Sequence, residues 1–243
     1  GEIKNKNRFF YFFKNPNKTK RINSYADMVF AGNEYLAEFA RLINKKVIVI
    51  PTTIDTEIYK VVEKKKNNKV CIGWSGSFST IIHFEYIIDA LIELKKKYKD
   101  KIYFKVIGDG RFFNNELDVK GIPWNKSTEI EDLSEIDIGI MPLPDDEWTK
   151  GKCALKGLQY MALGIPTVLA PVGVNKEVID EGKTGFFAKE NDEWIKKLSF
   201  LIDSPDLRKK IGIEGRKVVE LKYSVKANKH LYLKYFSELN AEK

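Results

Sequence analysis

Gly151-Lys-Cys-Ala-Leu-Lys-Gly-Leu-Gln-Tyr-Met-Ala-Leu-Gly-Ile-Pro166 combines a helix start suited to anions with two lysines four residues apart. Leu155, Leu158, Met161 and Ala162 recur at helical spacing, and Gly164 followed by Pro166 supplies a stop. The spacing therefore predicts a helix of about three turns opening near Gly151. The first N–H groups of a helix lack intrahelical partners and lie at the positive end of its dipole, so a phosphate placed there finds ready donors. Lys152 and Lys156 are predicted to share one helical face and add two point charges, with Gln159 extending the line by one turn. The stretch reads as a diphosphate clamp; a surface helix with solvated lysines is the plain alternative.

Outward from this helix the pattern alternates strand and helix. Upstream, strands are predicted at Ala26–Gly32, Val47–Ile50, Val70–Trp74, Ile102–Ile107, Val119–Ile122 and Ile136–Met141. An Asn-capped helix is predicted at Asn33–Leu42, an amphipathic helix through Phe84, Ile87, Ile88, Leu91 and Leu94, and a short helix at Thr128–Ser134. Downstream follow a strand at Thr167–Ala170, a helix near Asn175–Glu181, a turn at Gly182–Gly185, and helices near Asp192–Ser204, Asp206–Val219 and Val225–Leu239. Such alternation predicts an α/β fold: a Rossmann-like, doubly wound parallel sheet covered on both faces. Lys64-Lys-Lys-Asn-Asn68 is the best linker candidate.

In a sheet of this kind ligands bind outside the carboxyl ends of the strands. Four loops qualify. Ser75-Gly-Ser-Phe-Ser-Thr80, containing Gly76 and Ser77, offers small residues and backbone N–H groups to a phosphate, although no P-loop pattern is present. Gly108-Asp-Gly110 is a partial glycine fingerprint without its third glycine. Gly121-Ile122-Pro-Trp124 offers a backbone edge and an aromatic ring to a nucleobase. The clamp is the fourth, and Pro171-Val-Gly-Val-Asn-Lys-Glu177 aims another helix start at the same cleft.

Composition narrows the function classes. The chain has 243 residues, 43% of them hydrophobic, ample for a packed core. No apolar run reaches the roughly 20 residues that span a bilayer, and no secretory leader is recognised, so a cytoplasmic protein is expected. Cys71 and Cys153 match no metal spacing, and with only His83 and His230 a histidine-rich metal site or a paired-histidine mechanism is not expected. Neither histidine is given a role. The net charge of +8 is concentrated at the start, where residues 1–21 hold seven Lys or Arg against Glu2 alone. Nucleic acid is not expected as a partner, since the later lysine runs resemble solvated helix ends. Phe9–Phe13 beside this charge could dock at an anionic membrane surface, giving peripheral contact with the inner membrane, but packing on protein is the favoured reading.

The stretch Val70–Ser224 resembles the nucleotide-sugar-binding C-terminal domain of the GT-B-fold retaining glycosyltransferases of family four. The resemblance rests on Ile72-Gly-Trp-Ser-Gly-Ser77, Val106-Ile-Gly-Asp-Gly110, Gly151-Lys-Cys-Ala-Leu-Lys156, Gln159-Tyr-Met-Ala-Leu-Gly-Ile-Pro166, Pro171–Glu177 and Gly182-Lys-Thr-Gly-Phe186, in the family's order and spacing. Residues 26–55 look like the end of that family's N-terminal domain and the interdomain linker. The family's pair of glutamates eight apart is replaced here by Gly151 and Gln159, and the arginine and lysine of the first-strand loop are absent.

The resemblance implies a division into residues 1–55, a remnant of the acceptor domain and linker; 56–224, the nucleotide-sugar-binding domain; and 225–243, a closing helix. It implies transfer of a sugar from a nucleoside diphosphate to a glycan or lipid-linked acceptor with retention, by a chain that is inactive alone because it lacks the acceptor domain. Lys152 and Lys156 would carry catalysis by stabilising the departing diphosphate. Gly76, Ser77, Gly108, Ile122, Ala154, Leu155, Gln159 and Glu177 would hold the donor. Gln159 would take a ribose hydroxyl and Glu177 would approach the sugar. No metal or other cofactor is expected, and Asp145-Asp-Glu147 is read as a solvated loop. A non-catalytic nucleotide-binding or scaffold domain remains the alternative, because fold alone does not separate the two. A dinucleotide oxidoreductase should carry a complete G-x-G-x-x-G, which this chain lacks.

Overall fold

The computed structural model describes residues 17–62 and 68–241. The Phe9–Phe13 run and most of the lysine-rich linker candidate lie outside the described residues. The amino-terminal part runs α1 (Lys18–Tyr25), β1 (Val29–Ala31), α2 (Glu34–Arg41) and β2 (Val47–Val49), with β1 and β2 paired in parallel. Then follow β3 (Val70–Ser75), α3 (Ile81–Glu85), α4 (Ile88–Tyr98), β4 (Ile102–Ile107), the hairpin of β5 (Phe113–Asn114) and β6 (Val119–Lys120), α5 (Glu129–Ser134) and β7 (Ile138–Met141). Next come α6 (Glu147–Lys150), α7 (Leu155–Ala162), β8 (Thr167–Leu169), α8 (Asn175–Val178) and β9 (Phe186–Phe187). The chain closes with α9 (Asn191–Asp203), α10 (Pro205–Val218) and α11 (Val225–Ala241).

The main sheet has the order β4-β3-β7-β8-β9, with every neighbouring pair parallel. This is the doubly wound α/β sheet that the alternation predicts. The order reverses between β3 and β7, where crossovers leave in opposite directions and a crevice opens at the carboxyl ends. Apolar residues face both sides because both are covered. On β3, Ile72 and Trp74 pack with Phe84, Leu91 and Ile138, whereas Cys71 joins Leu133, Ile136 and Tyr160.

One close approach explains how α7 is seated. Gly139 on β7 lies under Tyr160, and a Cβ there would stand 2.5 Å from the ring. The Tyr160 hydroxyl in turn accepts a 2.8 Å hydrogen bond from the buried Ser75 N–H at the end of β3. The clamp helix is thus tied to the strand whose loop faces it. At its other end, Arg216 of α10 donates to the carbonyls of Ala162, Tyr59 and Thr56, placing a cation at the negative end of α7.

Three expectations are corrected. The helix through Phe84–Leu94 is two helices, α3 and α4, broken where Ile87 leaves helical geometry. The strand expected at Val119–Ile122 is shorter, Val119–Lys120, and is the second arm of a hairpin whose first arm, Phe113–Asn114, was not expected. The clamp helix opens at Leu155 rather than near Gly151, because Asp146 and Thr149 cap each other and nucleate a separate short helix, α6, that ends at Gly151.

Candidate functional site

A cavity of about 330 Å³ opens at the switch point between β3 and β7. Its walls come from the end of β3 and its loop (Trp74–Ser77, Thr80), from His83 of α3, from Met141–Leu143 after β7, and from Lys152–Lys156. Lys152 lies in the turn between α6 and α7 rather than on a shared helical face with Lys156. Even so, both lysines reach the same cavity. Each is half-buried, and burial holds each ammonium below the usual lysine pKa, opposed by Asp146 for Lys152 and by Glu129 for Lys156. Neither forms an ion pair among the described residues. Lys152 stands 5.8 Å from the centre of the exposed Trp148 ring. Two partly desolvated lysines lining one concavity, each only partly offset by a carboxylate and neither in an ion pair, are an arrangement that an anion would relieve.

The turn before α7 adds donors. Ala154, buried, holds a left-handed backbone (φ 55°), a conformation an alanine adopts only when its surroundings impose it. The first bond of α7 runs from the Leu158 N–H to the Ala154 carbonyl, so the N–H groups of Leu155, Lys156 and Gly157 have no partner inside the helix. The turn is clipped from behind by Asn33. Its Oδ1 caps α2 by accepting from the Leu36 N–H at 2.8 Å, and its Nδ2 donates to the Lys150 and Lys152 carbonyls at 3.2 Å.

The opposite wall differs from its expected role. The Gly76 N–H donates to the Ile107 carbonyl at 2.9 Å and the Ser77 N–H to Thr80 Oγ1 at 2.9 Å, so neither amide is free for a phosphate. What the loop presents is hydroxyls. Ser75 Oγ is buried in the cavity wall without a partner, and Ser77 and Thr80 lie beside it. Gly108 supports this loop from behind: at φ 126° its missing Cβ leaves room for the Gly76 carbonyl, which would otherwise be 2.3 Å away. Ile122 likewise offers no free edge, because its N–H donates to the Val106 carbonyl and its carbonyl accepts from the Gly108 N–H.

Gln159 and Glu177 fall outside the cavity wall. Gln159 is buried, its Nε2 donating to the Tyr59 hydroxyl at 2.7 Å and to Glu129 at 3.2 Å while its Oε1 has no partner. Glu129 also accepts from the Tyr59 hydroxyl at 2.8 Å and from Trp124 Nε1 at 2.9 Å. Burial pushes the Glu129 carboxyl up, but these donors and the Lys156 charge outweigh it and hold the group below its usual pKa. Burial and Glu129 together push Tyr59 up to about 12. Sequence reasoning missed this network, whose members are up to 100 residues apart. Glu177 is exposed on the first turn of α8, away from the cavity lining. Asp146, read as part of a solvated loop, is the cap of α6, and the Thr149 N–H it accepts holds its carboxyl below the usual range. No group of three or more His, Cys, Asp or Glu among the described residues could hold a metal ion. No helix of the described residues is long and apolar enough to cross a membrane.

A parallel, doubly wound sheet with a lysine-lined cavity at its switch point defines an α/β domain of the Rossmann-like kind. Residues 69–204, more than half of the chain, match the family described as glycosyl transferases group 1, and the chain belongs to that family. An uncharacterised glycosyltransferase of Methanocaldococcus jannaschii is 27% identical, over 98% of this chain and 64% of its own length. Among solved structures, sucrose-phosphate synthase of Thermosynechococcus elongatus superposes with a TM-score of 0.72 at 13% identity, covering 93% of this chain and 61% of that one. Anabaena HepE in complex with UDP and glucose gives a TM-score of 0.72 at 15% identity, covering 92% and 67%. At these identities the structural likeness is one of fold, the GT-B glycosyltransferase fold. The chain thus spans somewhat less than two thirds of the archaeal relative and of the synthase.

Proposed function

We propose that residues 56–224 are the donor-binding half of a retaining glycosyltransferase that moves a sugar from a nucleoside diphosphate to a glycan or lipid-linked acceptor. In this reading residues 1–55 belong to the acceptor domain and linker, and residues 225–243 close the donor domain. The observation that carries the reading is the convergence of Lys152, Lys156 and the unpartnered N–H groups of the α7 start on one cavity at the switch point. The UDP and glucose named for HepE, a fold neighbour, favour a uridine nucleotide among the donors to try first.

The chemistry follows from charge. As the bond between the anomeric carbon and the diphosphate oxygen breaks, negative charge grows on the diphosphate. Donors already in place stabilise that charge without reorganising. Lys152 and Lys156 supply two cations, the start of α7 supplies N–H donors and dipole, and the Ser75 and Ser77 hydroxyls supply further donors. This set balances a diphosphate without a metal ion.

Calorimetric titration with UDP, GDP, ADP and NAD tests the reading. One nucleoside diphosphate should bind, and the Lys152→Ala/Lys156→Ala double variant should lose that binding. Binding of NAD alone, or no change in the double variant, would overturn it.

A further inference from the structure

His83, which sequence reasoning left without a role, stands in the cavity wall facing the clamp turn. It is half-buried on α3, one turn after the Ser75–Thr80 loop. The charged groups that face it are Lys152 from the clamp turn and Asp146 from the start of α6. Lys156 of α7 and the Cys153 thiol line the same cavity, and burial pushes that thiol up, keeping it neutral. The Ser75–Thr80 loop contributes hydroxyls and no charge. The imidazole is thus the one titratable group in this wall able to change charge near neutral pH.

Resting on the donor-site reading above, we propose that His83 is a third ligand of the donor diphosphate and takes up a proton as the diphosphate enters. In the empty cavity burial, followed by the Lys152 charge, holds the imidazole below its ordinary pKa, with Asp146 opposing. A neutral ring spares the cavity a third positive charge. A diphosphate brings about two negative charges against that ring and reverses the local potential, so the pKa rises through neutrality. One proton moves from solvent to the free ring nitrogen while the other nitrogen keeps its own. The imidazolium then donates an N–H to a phosphate oxygen, and the proton returns to solvent on release. Because the leaving diphosphate carries more charge than the intact donor, this contact strengthens as the glycosidic bond breaks.

The sign of the pH dependence follows. Affinity is highest below the pKa of the empty site, where the ring is already charged. It falls as pH rises toward the pKa of the occupied site, by up to about tenfold per pH unit between the two. The test is titration calorimetry of the full chain with UDP-glucose, ADP-glucose and GDP-mannose near pH 7, in PIPES, HEPES and Tris buffers of different ionisation enthalpy. The diphosphate of these sugars is a diester with no proton to exchange near neutrality, so any uptake comes from the protein. The donor that binds should take up a substantial fraction of a proton in the wild type and in Lys152→Ala. Uptake should vanish in His83→Gln, with weaker binding. In His83→Lys binding should be recovered without uptake. Binding with equal uptake in the wild type and His83→Gln would overturn the His83 assignment alone; failure of all three sugars to bind would overturn it together with the donor-site reading.

Discussion

Lys156→Ala is the perturbation that separates a ligand-binding lysine from a structural one, because it should move binding and stability by very different amounts. Lys156 lines the cavity and forms no ion pair among the described residues, and burial already holds its pKa down. Its charge therefore costs the empty protein desolvation that only the more distant Glu129 offsets. Removing it discards that cost together with the packing of the side-chain stem, so unliganded stability should change by no more than about 1 kcal/mol. A charge-assisted hydrogen bond to a diphosphate is worth about 1.5–3 kcal/mol, so affinity should fall roughly 10- to 150-fold. Thermal unfolding without ligand and calorimetric titration with the preferred nucleoside diphosphate read the two effects separately. A melting temperature lowered by many degrees with affinity nearly intact would refute the reasoning. It would make Lys156 a support for Glu129 and not a clamp.

Tyr160→Phe leaves the buried Ser75 N–H without an acceptor, and chemical denaturation should show a loss of about 1–3 kcal/mol. Asn33→Ala removes the cap of α2 and the clip on the clamp turn together; a stability loss of about 0.5–2 kcal/mol should be accompanied by weaker nucleotide binding. Against the upward push of burial, the Trp124, Tyr59 and Gln159 donors hold the Glu129 carboxyl below its usual range, so its stabilising contribution is present above the ordinary glutamate pKa and is lost as pH falls through the folded pKa. Glu129→Gln should accordingly flatten the acid limb of a stability-against-pH curve, and an unchanged limb would show that other carboxylates govern it. Nucleotide affinity should be the same in EDTA as in magnesium, whereas a clear magnesium requirement would contradict a charge balance carried by lysines and amides.

The alternation of strands and helices, the Asn33 cap and the lysines of the clamp were legible because each depends on local spacing or a local motif. The exact start of α7 was not: Ala154 gives no sign in sequence that its backbone is left-handed, since that conformation comes from the surrounding packing. The free N–H groups expected at Gly76, Ser77 and Ile122 were misread for a similar reason. Their acceptors, the Ile107 carbonyl, Thr80 Oγ1 and the Val106 carbonyl, are set by how the loops fold back on the sheet. The Tyr59–Glu129–Gln159 network joins three distant segments and has no sequence signature. His83 was passed over because a lone histidine on an apolar helix carries no pattern. Only the tertiary structure brings it opposite Lys152.

The central claim is that the cavity between β3 and β7 exists to hold a diphosphate. A crystal structure of the chain soaked with UDP-glucose tests it most directly. Phosphate oxygens should lie about 3 Å from Nζ of both Lys152 and Lys156 and from an N–H at the start of α7. A nucleotide bound elsewhere, with both ammonium groups turned toward bulk water, would contradict it.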